Sequence, residues 1–540
     1  MKERRILKNK YYLYITEFFS GVSVMAVELG ASRLLAPYFS SSQIVWTIII
    51  GTIMIAMALG NIYGGRSADK NPDPDRLYRR LIIAAVWIAA IPVLGKYVIL
   101  AVSGLLILTV STGFLTVAAF FACMIIFVYP LFLLGTVTPS LVKYSVDSLD
   151  DSGKTVGTLG AFNTVGSIIG TFLPTFVTIP AVGTSVTFLL FSGILLLIGL
   201  VYFISAKARP VLCAVSAVLF ILCSIFGHSG SFAFWETELK YEGESIYNYL
   251  QVKETSDRVS LSTNVLFGVQ SVKMKTEGFT GMYYDYALAA PVMANLSSGG
   301  SVLILGNGTG TYATQCEKYF PGSSVEGVEI DEKITRLAFD YFDMSENVAV
   351  TTYDGRAYLQ AMDKEYDVIL VDAYQDITIP FQMSSTEFFT LVRGHLTDNG
   401  VMVVNMNMHS DGEGSINEYL TDTIASVFEY VYTADVPGNT NRELFAANFD
   451  VKQALDENLH MLLNPSPSSE RSDEALLAAM LLRVHSALTP CVPGGHILTD
   501  DRAPVELLGM RAIDELIADE LGYYKDLFRR EGISGLLNSF

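Results

Sequence analysis

Hydrophobic and polar positions follow two regimes along the chain. Between residues 12 and 227 apolar residues gather in seven stretches, 12–38, 43–64, 81–101, 114–138, 156–180, 184–204 and 211–227, separated by polar and charged clusters. A helix needs about 20 residues to cross a bilayer, so the spacing predicts a bundle of about seven membrane spans. Beyond residue 228 the runs shorten. Tyr247–Val252, Val259–Ser262, Val265–Phe267 and Ser271–Met274 are β-prone and broken by turn residues, which predicts a small β-rich piece. Helical periodicity follows over Tyr283–Met293. Strands are then expected at 302–305, 325–330, 348–352, 367–371 and 400–406, alternating with helices from about 311, from about 332, near 356–362 and near 385–396. This alternation predicts a Rossmann-like α/β domain, a parallel sheet with helices on both faces. Past Asn407 the pattern is less readable, apart from a polar Pro/Ser-rich stretch at Asn464–Asp473 and an amphipathic helix over Glu474–Ser486.

The expected division is a helical membrane domain at 1–228, a β-rich piece at 229–298 and a Rossmann-like nucleoside-binding domain with C-terminal helices at 299–540. Charge sharpens it. Residues 1–209 carry a balance of +7 and residues 210–540 one of -26, which sum to the net -19. Mean hydropathy is +0.39, too apolar for a wholly soluble chain. Lys and Arg cluster before the first stretch and after the second, fourth and sixth, while the loops near Ser40, Ser111 and Ala181 carry none. The positive-inside rule then predicts a multi-pass protein of the cell membrane with its N-terminus in the cytoplasm and the bilayer as a partner. The seventh stretch has about 17 residues and is marginal as a span, so the side on which the acidic domain lies stays open.

So acidic a domain excludes nucleic acid as a partner. Five cysteines without a CxxC pair and six scattered histidines give no disulfide framework and no metal-ligand spacing, so no metal is expected. Within the first stretch Glu17, Glu28 and Arg33 are costly unless paired or wetted. A polar site inside the bundle and a plain helix–helix hydrogen bond with a snorkelling arginine are equally open. Gly166 and Gly170, with Gly157 and Gly160 before them, read as close helix packing. The loop Gly64–Lys70 is similar to the cytoplasmic loop of the major facilitator transporters, but six helices make half of such a protein. Transport would require a homodimer or a different mechanism.

The chemistry gathers at strand ends. Gly306-Asn-Gly-Thr-Gly310 follows the 302–305 strand and permits close backbone approach to a ligand. Glu329 ends the next strand, about twenty residues on, where a carboxylate accepts both ribose hydroxyls. Asp354 follows the third strand, as an adenine contact or a helix cap, and Asp372 ends the fourth. Ligands of open α/β sheets bind beyond these strand ends, and the single glycine loop favours a nucleoside over a dinucleotide.

Residues 240–410 resemble the spermidine synthases, the polyamine aminopropyltransferases, in which a β-rich piece precedes a methyltransferase-type domain. The whole chain is similar to the bacterial membrane-fused members through Glu28-Leu-Gly-Ala-Ser-Arg-Leu-Leu-Ala-Pro-Tyr-Phe39 and Leu498-Thr-Asp-Asp-Arg-Ala-Pro-Val-Glu506. The resemblance implies transfer of an aminopropyl group from a decarboxylated S-adenosylmethionine-type co-substrate, not tightly bound, to a small cationic amine such as putrescine. It implies that Gly306, Gly308, Thr309 and Gly310 form the donor loop, that Glu329 holds the ribose and Asp354 the adenine, and that Asp372 is the general base. Asn248 and Tyr283 fall at substrate-contacting positions, Gln270 does so when one residue is skipped, and Gln375, or Asp376 after a one-residue shift, falls at the second acid of the family's Asp-Ser-Ser/Thr-Asp motif. Thr309 stands where the family has the acid that holds the donor's amino group, and Tyr284-Asp285 replace a His/Gln-Glu pair. Three readings follow: a membrane-anchored aminopropyltransferase, an S-adenosylmethionine-dependent methyltransferase on the same fold, and a transporter or sensor that binds a polyamine or nucleoside without turnover.

Overall fold

The structure is a computed structural model that describes residues 9–107, 109–110, 113–145, 152–228, 231–265, 268–296, 299–374, 379–407, 412–463 and 471–538. It divides into two compact units, residues 1–236 with 518–540, and residues 237–517.

The first unit is helical: α1 (Lys10–Phe39), α2 (Gln43–Lys70), α3 (Pro74–Ile107), α4 (Phe114–Gly135), α5 (Val137–Ser145), α6 (Ser152–Leu173), α7 (Ile179–Ser205) and α8 (Pro210–Gly227). A π-helical turn at Pro174–Thr178 joins α6 to α7. Six helical runs, not seven, are long and apolar enough to cross a membrane among the described residues. The fifth and sixth expected stretches form one run, Ser152–Ser205, of 54 residues. At 1.5 Å per residue such a run would reach about 80 Å, far beyond a hydrocarbon core of about 30 Å. It breaks at Gly183, whose φ of 80° and ψ of 169° are not helical. On α6, a Cβ at Gly166 or Gly170 would stand 2.1 Å or 2.2 Å from the carbonyl oxygen of Phe18 or Val22, so only glycine allows α1 and α6 this close approach. Glu17 is fully buried. Its Oε1 accepts from Thr138 Oγ1 at 2.6 Å and Asn163 Nδ2 at 2.9 Å, which places it in helix–helix hydrogen bonds. Glu28 and Arg33 are partly buried.

The second unit opens with an antiparallel sheet in the order β1-β2-β3-β4: β1 (Leu239–Glu244), β2 (Tyr249–Glu254), β3 (Arg258–Ser262) and β4 (Ser271–Met274). β1 was not foreseen, and of the strand expected at 265–267 residues 266 and 267 lie outside the described residues. The short helices α9 (Tyr283–Ala287) and α10 (Ala289–Met293) follow. Then come β5 (Ser301–Leu305), α11 (Thr311–Tyr319), β6 (Ser324–Glu329), α12 (Glu332–Tyr341), β7 (Ala349–Thr352), α13 (Gly355–Ala361), β8 (Tyr366–Val371), α14 (Thr386–Gly394), β9 (Leu396–Met406), α15 (Ile416–Ala425), β10 (Tyr430–Asp435), β11 (Arg442–Ala447), α16 (Val451–Leu463), α17 (Arg471–Ala487) and β12 (Thr489–Pro490). A helix over Val505–Asn538 ends the chain's described part.

The larger sheet has the order β12-β10-β11-β9-β8-β5-β6-β7. β5 to β9 are parallel, and β10 and β11 add antiparallel strands that the sequence pattern did not show. β5 and β8 are apolar over Val302–Leu305 and Val368–Val371 because both faces are covered. Val302, Ile304, Val368 and Leu370 pack with α9, α10, α11, α16 and α17. Leu303, Leu305, Ile369 and Val371 pack with α13, α14 and α15. The smaller sheet sets Leu250, Val252, Val259 and Leu261 against Ile334 and Leu337 of α12 and so belongs to the same unit. Strand order reverses between β5 and β8, and a crevice opens at their carboxyl ends.

Candidate active site

Gly306 leaves β5 with φ +93°, and a Cβ there would stand 2.4 Å from the carbonyl oxygen of Asp372. Only glycine lets this loop pass so close to the end of β8. The loop then turns its backbone toward the end of β6, where the Gly308 N–H donates to Glu329 Oε2 at 2.9 Å and the Asp331 N–H to Oε1 at 3.0 Å. Burial pushes the Glu329 carboxyl up to about 7, against the pull of these backbone donors. Asp354, after β7, accepts the Ala357 N–H at 2.8 Å and so caps α13.

Asp372 follows β8 and is held from both sides. Tyr283 donates its hydroxyl to Oδ2 at 2.5 Å, and Asn405 its Nδ2 to Oδ1 at 2.8 Å. Burial pushes Asp372 up to about 7; the two hydrogen bonds pull it down, and the nearby Glu329 adds to the rise. Burial first, and then Asp372, hold the Tyr283 hydroxyl well above its ordinary range, so it stays a proton donor to the carboxylate.

A cavity of ≈ 330 Å³ lies at this point and brings together Asn248, Gln270, Tyr283, Gly306, Gly308, Glu329, Asp354 and Asp372. Asn248 Nδ2 also donates to Asp331 Oδ2 at 3.2 Å, tying the smaller sheet to the end of β6. Two expected loop residues do not line the cavity. Thr309 is 1% exposed with its hydroxyl 3.3 Å from that of Thr311, which does line it. Gly310 faces Met344, whose Sδ would be 2.4 Å from a Cβ at that position. Gln375 and Asp376 lie outside the described residues. The described lining carries three carboxylates, Glu329, Asp354 and Asp372, and no Lys, Arg or His.

Sequence reasoning missed Asn405, Tyr374 and Glu443. Tyr374 donates to the Asn405 carbonyl oxygen, and Asn441 Nδ2 donates to Asn405 Oδ1 at 2.8 Å. Glu443 pairs with Asn405 across β9 and β11, is fully buried, and neither carboxyl oxygen has a partner among the described residues. Burial and then Asp372 push its carboxyl well above the usual carboxylate range. The available signal for Asn405 was an amide directly after the apolar run Val401–Val404.

A model of the spermine/spermidine synthase domain matches residues 282–446. A probable polyamine aminopropyl transferase of Bifidobacterium longum is 57% identical over 348 residues, which cover 63% of this chain and 78% of the relative. The chain belongs to the spermine/spermidine synthase family. A polyamine aminopropyltransferase of Vibrio vulnificus is 26% identical over 254 residues, 45% of this chain and 82% of that one. Among solved structures, a probable spermidine synthase from Corynebacterium glutamicum aligns with a TM-score of 0.36 and 21% identity, over 47% of this chain and 90% of its own. A spermidine synthase in complex with the transition state analogue AdoDATO aligns with a TM-score of 0.36 and 20% identity, over 45% and 85%. The family's matched region holds Tyr283, the glycine loop, Glu329, Asp354, Asp372, Asn405 and Glu443, whereas Asn248 and Gln270 precede it.

Proposed function

We propose that the chain is a membrane-anchored aminopropyltransferase, moving an aminopropyl group from a decarboxylated S-adenosylmethionine-type donor to a small amine such as putrescine. The observation that carries this reading is the cavity wall with three carboxylates and no cationic side chain among its described residues. Both reactants are cations, a sulfonium and an ammonium, and an acidic cavity concentrates them. Intact S-adenosylmethionine would bring its own carboxylate against three acids. The decarboxylated donor removes that clash, which favours aminopropyl transfer over methyl transfer. Relatives named polyamine aminopropyltransferase support the same reading.

In this mechanism Glu329, already oriented by two backbone N–H groups, accepts the ribose hydroxyls, and Asp354 faces the base. Asp372 binds the acceptor ammonium and takes one of its protons. The freed nitrogen pair attacks the methylene carbon beside the sulfonium; the C–N bond forms as the C–S bond breaks, and the electron pair returns to sulfur as a neutral thioether. Tyr283 and Asn405 keep the carboxylate oriented. The six apolar runs and the basic residues at their ends support anchoring in a bilayer with a cytoplasmic N-terminus.

The test offers putrescine with each donor to the purified full chain and reads products by mass spectrometry. An aminopropylated amine from the decarboxylated donor is expected; a methylated product, or no product from either donor, overturns the reading. Tyr283→Phe removes a hydrogen bond that lowers Asp372, so the acid limb of kcat/KM should move to higher pH by roughly 1 unit. An unmoved limb would deny Tyr283 that part.

A further inference from the structure

We propose that Glu418, Asp422 and His496 form a binding site for one divalent transition-metal ion of the zinc type, apart from the aminopropyl-transfer cavity. Glu418 and Asp422 are four residues apart on α15 and share a face. His496 comes from the segment after β12, 74 residues beyond Asp422, which is why no motif spacing announces the trio. His496 Nδ1 is 3.5 Å from Glu418 Oε1 and 3.5 Å from Asp422 Oδ2. One ligand atom from each residue can be chosen so that all lie within 4.8 Å of one another.

These distances distinguish two arrangements. A protonated imidazole paired with a carboxylate closes to about 2.7–2.9 Å, so 3.5 Å to both oxygens is too long for either bond. Ligands about 2.0–2.2 Å from a tetrahedral zinc stand about 3.3–3.6 Å apart, the spacing of the histidine nitrogen from each carboxylate oxygen here, and the two carboxylate oxygens lie within 4.8 Å of each other. Two carboxylates and one imidazole suit zinc or its borderline neighbours better than soft cations.

The carboxylates are oriented in advance. Asp422 is 5% exposed, and its Oδ2 accepts the His496 backbone N–H at 2.9 Å. The Gly414 N–H donates to Glu418 Oε2 at 2.5 Å, leaving Oε1 toward the histidine. A Cβ at Gly494 would stand 2.3 Å from Asp422 Oδ2, so a larger residue would occupy the space beside the carboxylate. The Tyr419 ring packs on the imidazole with centroids 4.7 Å apart. The side chains of Glu418 and His496 are 37% and 38% exposed, which leaves an entry path and room for a water as fourth ligand.

The ion would fasten the segment around His496 to α15. Leu498 is already bonded there, its N–H donating to Thr423 Oγ1 at 2.9 Å. Two residues on, Asp500 takes the Arg356 guanidinium at 2.7 Å and 2.6 Å, and Arg356 also donates to the carbonyl oxygen of Gln382, a cavity residue. The metal's role is therefore structural, bracing a segment that supports the cavity wall.

The test uses the purified full chain in detergent, stripped with a chelator and titrated with Zn²⁺ against a competing chromophoric chelator, then separately with Co²⁺. One ion per chain and the intense visible absorption of tetrahedral cobalt are expected. His496→Ala and Glu418→Gln, both at partly exposed positions, should each weaken binding at least about 100-fold, beyond what loss of an outer-shell partner does. No stoichiometric binding by the wild type, or binding unchanged in the double variant, overturns the proposal and leaves a histidine between two acids. The readout needs no turnover, so it stands or falls independently of the aminopropyl-transfer reading.

Discussion

Asp372→Asn should lower kcat/KM by roughly 10²- to 10⁴-fold, the span of general-base contributions. The asparagine keeps the volume and can still meet Tyr283 and Asn405, but it neither counters an ammonium nor accepts its proton. Donor affinity, which the proposed mechanism places at Glu329 across the crevice, should change little, and equilibrium binding of the donor checks this against the kinetic loss. A fall below tenfold would place the base elsewhere. The pH dependence carries the same argument. With Asp372 pushed up to about 7, the ionised base becomes the minority form in more acid solution. Wild-type kcat/KM should therefore fall about tenfold per unit below about pH 7. A bound ammonium favours the carboxylate, so the limb in kcat should lie at lower pH than the limb in kcat/KM. The variant should lack this limb.

Gly306→Ala is expected to have the next largest effect. Its backbone sits at φ +93°, and the new methyl would meet the Asp372 carbonyl oxygen at 2.4 Å, a backbone atom that no rotamer change removes. Either the glycine loop lifts from β8 or the Asp372 turn shifts, and both dislocate the proposed donor site and base together. A loss of about 1–3 kcal/mol in stability is expected from the conformation alone, together with loss of measurable donor binding. Thermal unfolding and donor titration on the same preparation check it. A variant with native donor affinity would show that the loop approaches β8 less closely than described.

Much of the site was legible because its residues sit at fixed places in a repeating pattern. Glycines after one strand and acids after the next three mark where the ends of a parallel sheet must lie, so Gly306, Glu329, Asp354 and Asp372 could be expected at one crevice without coordinates, and all four line the cavity. That Thr309 does not line the cavity was hidden for a related reason. Loop spacing gives the order of residues but not which side chains turn inward, and here Thr309 and Gly310 face the protein's interior.

The pairing of Tyr283 with Asp372, and the presence of Asn405 and Glu443 nearby, were hidden because these residues come from distant segments. Tyr283 precedes the sheet, Asn405 closes β9, and Glu443 sits on an antiparallel strand whose short apolar pattern is shared by many loops and helices.

The sequence by itself determined the split into an apolar helical half and an acidic α/β half, the parallel strand pattern and the acids at the strand ends, because hydrophobic periodicity and strand-end chemistry are local properties. Tertiary structure alone decided the clasp of Asp372 by Tyr283 and Asn405, and the meeting of Glu418 and Asp422 with His496. Each of the two clusters depends on packing that brings together segments tens of residues apart, and no local periodicity records which segments will meet.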